Sequence, residues 1–233
     1  MNPYYLLLIV CALLSLWASW SVNATFKKYA TLPGAGGLSA ARAARLLLDS
    51  QGLTQVQVLS TPGHLSDHYD PRNQTVYLSQ SVYHATGCSA LGVAAHEVGH
   101  AVQHHQGYVP IRIRSAIIPV TRLVSMAAPY LILLGLLLSG VAAHFILLAY
   151  AGIVGFAAAS LFQLVTLQAE LDASRRALAG LKACRLIAPE QEGACRKVLR
   201  AAALTYVAAL ATSLVQMLRM LSLVTAADRR RQR

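Results

Sequence analysis

Charged residues are scarce in this sequence of 233 residues. They make up 12% of the chain, whereas hydrophobic residues make up 56%. An ordinary soluble domain carries about 25% charged residues, so this composition is not that of a soluble protein. Polar, proline-rich and repetitive tracts that would indicate disorder are also missing. We therefore expect a folded chain whose long apolar runs lie in a membrane.

Cysteine is also rare, and its spacing excludes two common uses. The four cysteines are Cys11, Cys88, Cys184 and Cys195, and no two of them form a CxxC pair. The sequence therefore indicates neither a zinc ribbon nor a CxxC redox motif. Cys184 and Cys195 are near enough in sequence to form a disulfide, but a cytoplasmic location would keep both thiols reduced.

Acidic residues are far fewer than basic ones. The sequence has 9 Asp and Glu against 20 Lys and Arg, which gives a formal net charge of +11. Such a surplus is typical of proteins that bind nucleic acid or lie against a membrane surface. Here the basic residues flank apolar runs and are not interleaved with aromatic residues. We therefore expect the lipid bilayer, and no nucleic acid, as a partner.

Four apolar runs are long enough to predict membrane helices. They cover residues 3–22, 123–141, 143–167 and 201–224. Positive charge follows the first run at Lys27 and Lys28, which favours an uncleaved anchor with its N-terminus outside over a cleaved signal peptide. The second and third runs are joined near Gly140 and predict a transmembrane hairpin. Small residues would allow its helices to pack closely, at Gly135, Gly140, Gly152 and Gly155.

Basic residues concentrate in two polar regions between the apolar runs. Residues 24–122 contain eight and residues 168–200 contain seven, whereas the hairpin tip contains none. The positive-inside rule therefore puts both regions on the cytoplasmic side of a bacterial inner membrane. The run 201–224 is ambiguous, because it contains Arg219 and precedes a basic tail. It could span the membrane, re-enter it or lie at its interface.

These patterns predict five regions along the chain. They are an anchor at 1–23, a zincin-like catalytic region at 24–122, the hairpin at 123–167, a cytoplasmic helical region with the third zinc ligand at 168–200, and an apolar helix with a basic tail at 201–233. Within 24–122, we predict two helices, one from Leu38 to Leu48 capped by Ser39 and one from Ser89 to His105. Between them we predict strands at 56–59 and 75–79, separated by a turn at 67–73. The predicted fold class is a mainly α membrane protein with a small α+β zincin-like unit.

The last of these helices carries the motif His96-Glu97-Val98-Gly99-His100. Two histidines four residues apart project from the same face of a helix. That spacing suits two corners of a tetrahedral zinc site, and Glu97 can reach a water at the open corner. A chance HExxH is the alternative, but two histidines and a glutamate flanked by apolar residues are costly to bury without a partner.

A third ligand must come from elsewhere in the sequence. Gln103 and Gln106 stand where metzincins carry Gly and His, and the Cα of His104 lies about 12 Å from that of His96 along a helix. Glu170 is the better candidate, because it falls just past the second hairpin helix. A carboxylate there could instead pair with Arg175 or Arg176. Asp172 could orient a ligand imidazole or form a surface salt bridge.

Three motifs occur together in this sequence. They are His-Glu-Val-Gly-His-Ala-Val-Gln at 96–103, Asp-His-Tyr-Asp-Pro-Arg at 67–72 and Glu-Leu-Asp-Ala-Ser-Arg-Arg-Ala-Leu at 170–178. Jointly they resemble the YugP-type neutral zinc metallopeptidases of bacterial membranes. The resemblance implies one zinc ion, with His96, His100 and Glu170 as ligands and Glu97 as catalytic base. The layout is more distantly similar to membrane-bound gluzincin proteases, which carry an Asp where this chain has Ser174.

The turn at 67–73 has two interpretations. It could be structural, because Asp-Pro followed by Asn suits a tight turn. It could also bring His64 or His68 near the zinc as a donor to the developing oxyanion. In that case the strand 75–79 would be a sheet edge that binds an extended substrate through main-chain hydrogen bonds.

The sequence thus predicts a membrane-bound zinc endopeptidase that faces the cytoplasm and hydrolyses protein or peptide substrates. One alternative is a site-2-like intramembrane protease, in which the HExGH motif lies within a spanning helix. Another is a non-enzymatic membrane scaffold with a structural zinc. A homo-oligomer and a membrane partner both remain open.

Overall fold

Four long helices dominate the computed structural model, which describes residues 3–231. They are α1 (Pro3–Ala30), α5 (Val109–Leu138), α6 (Ile146–Ala183) and α7 (Pro189–Arg231). Each is long and apolar enough to cross a membrane, because a rise of about 1.5 Å per residue carries it past a hydrocarbon core about 30 Å thick. The remaining elements are three shorter α-helices, α2 (Ala40–Ser50), α3 (Gln80–Tyr83) and α4 (Cys88–His105), two short 3-10 helices (Ala35–Gly37 and Ala143–Phe145), and three strands. The prediction of a mainly helical chain with membrane-length helices is confirmed.

The chain divides into two compact units. The first comprises the described parts of 1–16, 113–167 and 206–233, and the second comprises 17–112 and 168–205. Helices α1, α5, α6 and α7 therefore each contribute to both units. The functional division into five regions stays a prediction.

Glycines allow close helix packing in the first unit. A Cβ on Gly135 of α5 would lie 2.3 Å from the backbone nitrogen of Ala149 on α6. A Cβ on Gly152 would lie 2.6 Å from Ile132 Cγ1. Gly155 also faces α5, whereas the nearest atom to Gly140 is a carbonyl of its own turn. Three of the four predicted glycines thus mediate the contact between α5 and α6.

The C-terminal part of α7 packs within the same unit. Val224 is fully buried in an apolar cluster with residues of α5 and α6. The Asp228 carboxylate accepts a hydrogen bond from the Tyr150 hydroxyl at 3.0 Å. The Arg219 guanidinium lies 4.6 Å from the centre of the Tyr5 ring on α1. The Asp228 carboxylate and the Arg219 guanidinium thus each contact a tyrosine of this unit.

The second unit contains a sheet of three strands. The strands are β1 (Gln57–Thr61), β2 (His68–Asp70) and β3 (Thr75–Ser79). Their order is β1-β3-β2, with β1 parallel and β2 antiparallel to β3. Two predictions were wrong here: β3 is the central strand rather than a sheet edge, and part of the expected turn 67–73 is a strand. Only residues after Asp70 turn, where its Oδ1 accepts a hydrogen bond from the Arg72 backbone at 2.9 Å.

Helix α2 forms as predicted. The Ser39 side chain accepts a hydrogen bond from the backbone N–H of Arg42, and Gly52 follows the helix with φ +71. This arrangement caps both ends of the helix. Buried residues of α2 pack in one apolar core with β3 and α4, including Leu47, Leu48, Val76, Leu78, Leu91 and Val98. This core holds α4, which carries the HExxH motif, in place.

The four cysteines are free thiols. Cys195 is fully buried, and its Sγ lies 3.5 Å from the Cys88 carbonyl oxygen. Cys88 and Cys195 are thus neighbours in the fold, although 107 residues separate them in sequence.

Candidate metal centre

Helix α4 presents two histidines on one face. The rings of His96 and His100 have centroids 4.7 Å apart and planes at 85°. Their side chains are only 15% and 12% exposed. The helical spacing of four residues therefore produces the pair of imidazoles that the sequence predicted.

Helix α6 supplies a carboxylate to the same place. Glu170 Oε2 lies 3.0 Å from His96 Nε2 and 3.5 Å from His100 Nε2. Its side chain is 4% exposed. We expected Glu170 just past the end of the hairpin helix, but α6 continues to Ala183, so the carboxylate projects from inside a rigid helix.

A glycine allows the two helices to approach each other. A Cβ on Gly99, between the two histidines, would lie 2.7 Å from the carbonyl oxygen of Ala173 on α6. No side chain larger than hydrogen fits there without displacing backbone. Gly99 therefore permits the contact that brings Glu170 to the histidines.

The three side chains form a donor set that suits zinc. One ligand atom from each of His96, His100 and Glu170 lies within 4.8 Å of the others. Two atoms bound about 2.1 Å from one ion at a tetrahedral angle lie about 3.4 Å apart, close to the two separations of 3.0 and 3.5 Å. Two imidazole nitrogens and one carboxylate oxygen also form a common ligand set of catalytic zinc. The residues present therefore fit the metal.

Gln103 fixes the orientation of His100. Its amide nitrogen donates to the Ala169 carbonyl at 2.8 Å and to Asp172 Oδ2 at 2.9 Å. Its oxygen therefore faces His100, and His100 Nδ1–H donates to it at 2.9 Å. The lone pair of His100 then lies on Nε2, the atom that faces Glu170.

Ser174 lies beside His96, as Gln103 lies beside His100. Its Oγ lies 3.2 Å from His96 Nδ1. His96 Nδ1 is thus engaged by Ser174, and its Nε2 faces Glu170.

Asp172 combines both roles considered for it. It accepts a hydrogen bond from Gln103 and thereby supports His100, and it also pairs with Arg175 and Arg176. The alternative that Glu170 pairs with either arginine is wrong, because both guanidinium groups bind Asp172 instead. Arg176 also donates to Gln106 Oε1 at 2.6 Å, which links α6 to the end of α4.

Glu97 lies buried beside the two histidines. Its relative exposure is 8%, and among the described residues it forms no hydrogen bond or ion pair. Burial lowers the pKa of His100, but the hydrogen bond to Glu170 and the charges of Glu97 and Glu170 outweigh that effect and raise it. The two carboxylates therefore favour positive charge at this position.

The other predicted histidines lie outside this cluster. The ring of His64 packs edge-on against Phe26 with centroids 6.3 Å apart. His68 stacks on Tyr77 at 5.0 Å. His104 faces Tyr69 at 5.5 Å. Within residues 3–231, the group of side chains that could hold a metal ion consists of His96, His100 and Glu170.

Sequence reasoning gave Gln103 and Ser174 no supporting role in the site, and it missed Gly99. Gln103 follows His100 by three residues and Ser174 follows Glu170 by four, so each shares a helix face with its neighbour. That spacing could have drawn attention to both. The role of Gly99 has no local signal, because the atom it avoids belongs to another helix.

A cavity of about 410 Å³ adjoins the site between α6 and α7. Ser174, which contacts His96, forms part of its wall. Leu171, Leu178 and Leu199 supply an apolar surface. Charged residues supply the polar surface, and they are Arg175, Lys182, Glu192, Arg196 and Arg200. The cavity is large enough to hold a side chain of a peptide.

Comparison with known proteins agrees with this site. A family described as "Putative neutral zinc metallopeptidase" matches residues 4–225. A relative from Bacillus subtilis (strain 168), named "Putative membrane protease YugP", is 43% identical over 216 residues, which cover 92% of this chain and 94% of the relative. No solved structure matches the chain. The chain therefore belongs to the family of neutral zinc metallopeptidases, and it is a membrane protein of that family.

Proposed function

We propose that this protein is a membrane-bound zinc endopeptidase of gluzincin type. One zinc ion would be held by His96, His100 and Glu170, and Glu97 would act as general base. The observation that carries the proposal is the meeting of three ligand atoms from α4 and α6 within 4.8 Å, beside the buried Glu97. The unit 17–112 with 168–205 would be the zincin-like catalytic part.

The chain's own residues have distinct parts in this mechanism. Bound zinc would supply a Lewis acid for the scissile carbonyl and lower the pKa of a water. Glu97 would take a proton from that water as it attacks, and would give the proton to the amine that leaves. Gln103 and Ser174 would hold the imidazoles in the orientation that binds metal. Because Glu97 is buried beside the ligands, it would be in position as the base before substrate arrives.

Substrate would bind in the cavity next to Ser174. Its leucine-lined wall favours an apolar side chain of the peptide, and Arg175 at its side favours a nearby carboxylate. Because β3 is paired on both sides, an extended peptide would have to add to β1 or β2 instead. Membrane-proximal or misfolded protein segments are the substrates expected for such a site.

The catalytic site would face the cytoplasm of the bacterial cell. Both polar regions, 24–122 and 168–200, are rich in Lys and Arg, and such regions remain on the cytoplasmic side of an inner membrane. The enzyme would then be multi-pass, with the N-terminus and the hairpin tip outside.

The intramembrane alternative is less well supported. A site-2-like protease carries its HExGH motif within a spanning helix, whereas α4, with 18 residues, is not among the four candidate spans found in residues 3–231. The scaffold alternative, with a purely structural zinc, gives no role to Glu97. Its buried carboxylate beside the ligands favours an enzyme.

The proposal is tested by cleavage of an unstructured protein with the purified full chain in detergent. Wild type, Glu97→Gln and Glu170→Gln are compared, and zinc content is measured on each. We expect Glu97→Gln to keep zinc and to lose about 10²–10⁴-fold in rate. Glu170→Gln should lose both zinc and activity. Equal cleavage by wild type and Glu97→Gln would refute the assignment of the base, and full zinc content in Glu170→Gln would refute the third ligand.

A further inference from the structure

A second cavity, of about 300 Å³, lies between the end of α1 and the beginning of α7. One wall consists of Ser21, Thr25, Lys28 and Tyr29 of α1. The other consists of Lys197, Arg200, Ala201 and Leu204 of α7. None of these residues takes part in the metal centre. Arg200 also lines the cavity next to Ser174, whereas the proposed peptidase gives the other seven residues no function.

Helical spacing builds both walls. Ser21, Thr25 and Lys28 follow one another at intervals of four and three residues, and so do Lys197, Ala201 and Leu204. Residues at these intervals lie on one face of a helix. Two continuous stripes, one from each helix, therefore line the same space.

The cavity is strongly cationic. Lys28, Lys197 and Arg200 are exposed, and no carboxylate lines the cavity among the described residues. In the same part of the chain these three cations form no ion pair with a carboxylate. The neighbouring cations differ, because Lys182 and Arg196 both pair with Glu192. Three like charges around one space repel each other, and an anion between them would relieve that repulsion.

The uncharged residues of the cavity also suit an anionic ligand. Ser21, Thr25 and Tyr29 bring three hydroxyl groups that can donate to phosphate oxygens. Ala201 and Leu204 give the far wall an apolar surface. Lys28 also lies over the Tyr29 ring, 5.6 Å from its centre, which helps to hold the ammonium at the cavity.

The cavity lies where a lipid headgroup would be found. The first apolar run of α1 ends at residue 22, and Trp20 is a residue typical of the membrane–water interface. Ser21 to Tyr29 are the next residues along the helix. Basic pockets between helices at this boundary suit anionic phospholipid headgroups.

We propose that this cavity binds the phosphate headgroup of an anionic phospholipid. Lys28, Lys197 and Arg200 contact the phosphate oxygens by charge-assisted hydrogen bonds, and the hydroxyl groups complete the site. The acyl chains extend along the apolar part of α1. The ligand is the lipid rather than a soluble phosphate ester, because the membrane supplies it at the cavity.

The experiment uses the full chain purified in neutral detergent and titrated with phosphatidylglycerol or phosphatidylcholine, with bound lipid counted by native mass spectrometry. Lys28→Gln/Arg200→Gln is compared with Lys27→Gln/Arg72→Gln, which removes two charges outside the cavity. Lys27 is a matched control for Lys28, because it is exposed and adjacent to it on α1. At roughly fivefold per cation, the first variant should bind phosphatidylglycerol about twentyfold more weakly. The control should change less than about twofold.

Four results would overturn the proposal. The first is equal affinity of the wild type for phosphatidylglycerol and phosphatidylcholine. The second is an equal loss of phosphatidylglycerol affinity in the control variant, which would indicate only a general attraction to a charged surface. The third is binding of sn-glycerol 3-phosphate as tight as that of phosphatidylglycerol, which would indicate a soluble ligand. Lys28→Arg/Arg200→Lys keeps both charges and should keep the lipid, so failure of this variant to bind would also contradict the proposal.

Discussion

At the scale of single residues, Gln103 connects the metal site to the rest of its unit. It is fully buried, and its amide contacts His100, the Ala169 backbone and Asp172. A buried amide with three partners has one orientation, so His100 has one as well. The residue first noticed because it excluded the metzincin pattern is thus the support of a ligand.

Gln103→Leu should weaken zinc binding by about 10–100-fold, because His100 loses the acceptor that orients it. The affinity is measured by competition with a chromophoric chelator. The control is Gln106→Leu, which removes an amide that contacts Arg176 but neither histidine. Equal affinities of Gln103→Leu and wild type would show that the amide does not position the imidazole.

Ser174 allows a graded test of the other histidine. Ser174→Ala removes the Oγ that lies 3.2 Å from His96 Nδ1. Water can reach this position from the adjoining cavity, so the loss of zinc affinity should be at most about tenfold. Ser174→Asp should bind zinc more tightly than wild type, because a carboxylate raises the basicity of the imidazole. An alanine variant that binds as tightly as the aspartate variant would contradict this order.

At the scale of elements, the site depends on the close approach of α4 and α6. Neither helix carries all the ligands: α4 brings the two histidines, and α6 brings the carboxylate. Hydrogen bonds from Gln103 to Ala169 and from Arg176 to Gln106 join the two helices beside the site. The geometry of the centre is therefore a property of the helix pair.

Two glycines of α4 provide a matched comparison of this contact. Gly99→Ala introduces a Cβ 2.7 Å from the Ala173 carbonyl oxygen, whereas the nearest atom to a Cβ at Gly92 is 4.0 Å away. Alanine is favoured over glycine in a helix by about 1 kcal/mol, so Gly92→Ala should raise the melting temperature slightly. Gly99→Ala should lower both melting temperature and zinc content. If the two variants behaved alike, close approach at Gly99 would not be required for the site.

At the scale of the whole molecule, the contacts of α7 within the first unit indicate on which side of the membrane this helix ends. Asp228, near the end of α7, bonds to Tyr150, which lies just after the hairpin tip. Arg219 contacts Tyr5 near the beginning of α1. The beginning of α1 and the hairpin tip have no Lys or Arg, so both are expected outside. The C-terminal part of α7 then lies at the same side, although the basic tail opposes the positive-inside rule.

Labelling with a membrane-impermeant maleimide in intact cells tests this topology. Single cysteines are introduced at Val141, at Ser66 and after the last residue, in a chain whose native cysteines are replaced by serine or alanine. The cysteine at Val141 and the C-terminal one should be labelled in intact cells, and the one at Ser66 only after permeabilisation. A C-terminal cysteine labelled only after permeabilisation would mean that α7 does not cross the membrane.

Much of this structure could be predicted from local pattern. Ser39 and Gly52 mark the ends of α2 because capping depends on residues within one turn. His96 and His100 share a face because a helix fixes the direction of side chains four residues apart. The strand β3 was predicted residue for residue, since its sequence alternates between polar and apolar residues, although four of its five residues are buried in the structure. Long apolar runs identified the four membrane-length helices in the same way.

Other features depended on which segments meet. The alternation in β3 does not show how many neighbours the strand has, so only the fold revealed it as central, between β1 and β2. Glu170 and Asp172 are both acidic and two residues apart, and the sequence allowed either to pair with arginine. The rotation of α6 against α4 decided that Glu170 faces the histidines and that Asp172 faces Gln103 and the arginines. The cationic cavity also needed tertiary structure, because Lys28 and Lys197 are far apart in sequence. Sequence thus determined the elements and the motif, since these depend on neighbouring residues. Tertiary structure decided which carboxylate meets the two histidines, which residues support them and where the second cavity forms, since these depend on contacts between distant helices.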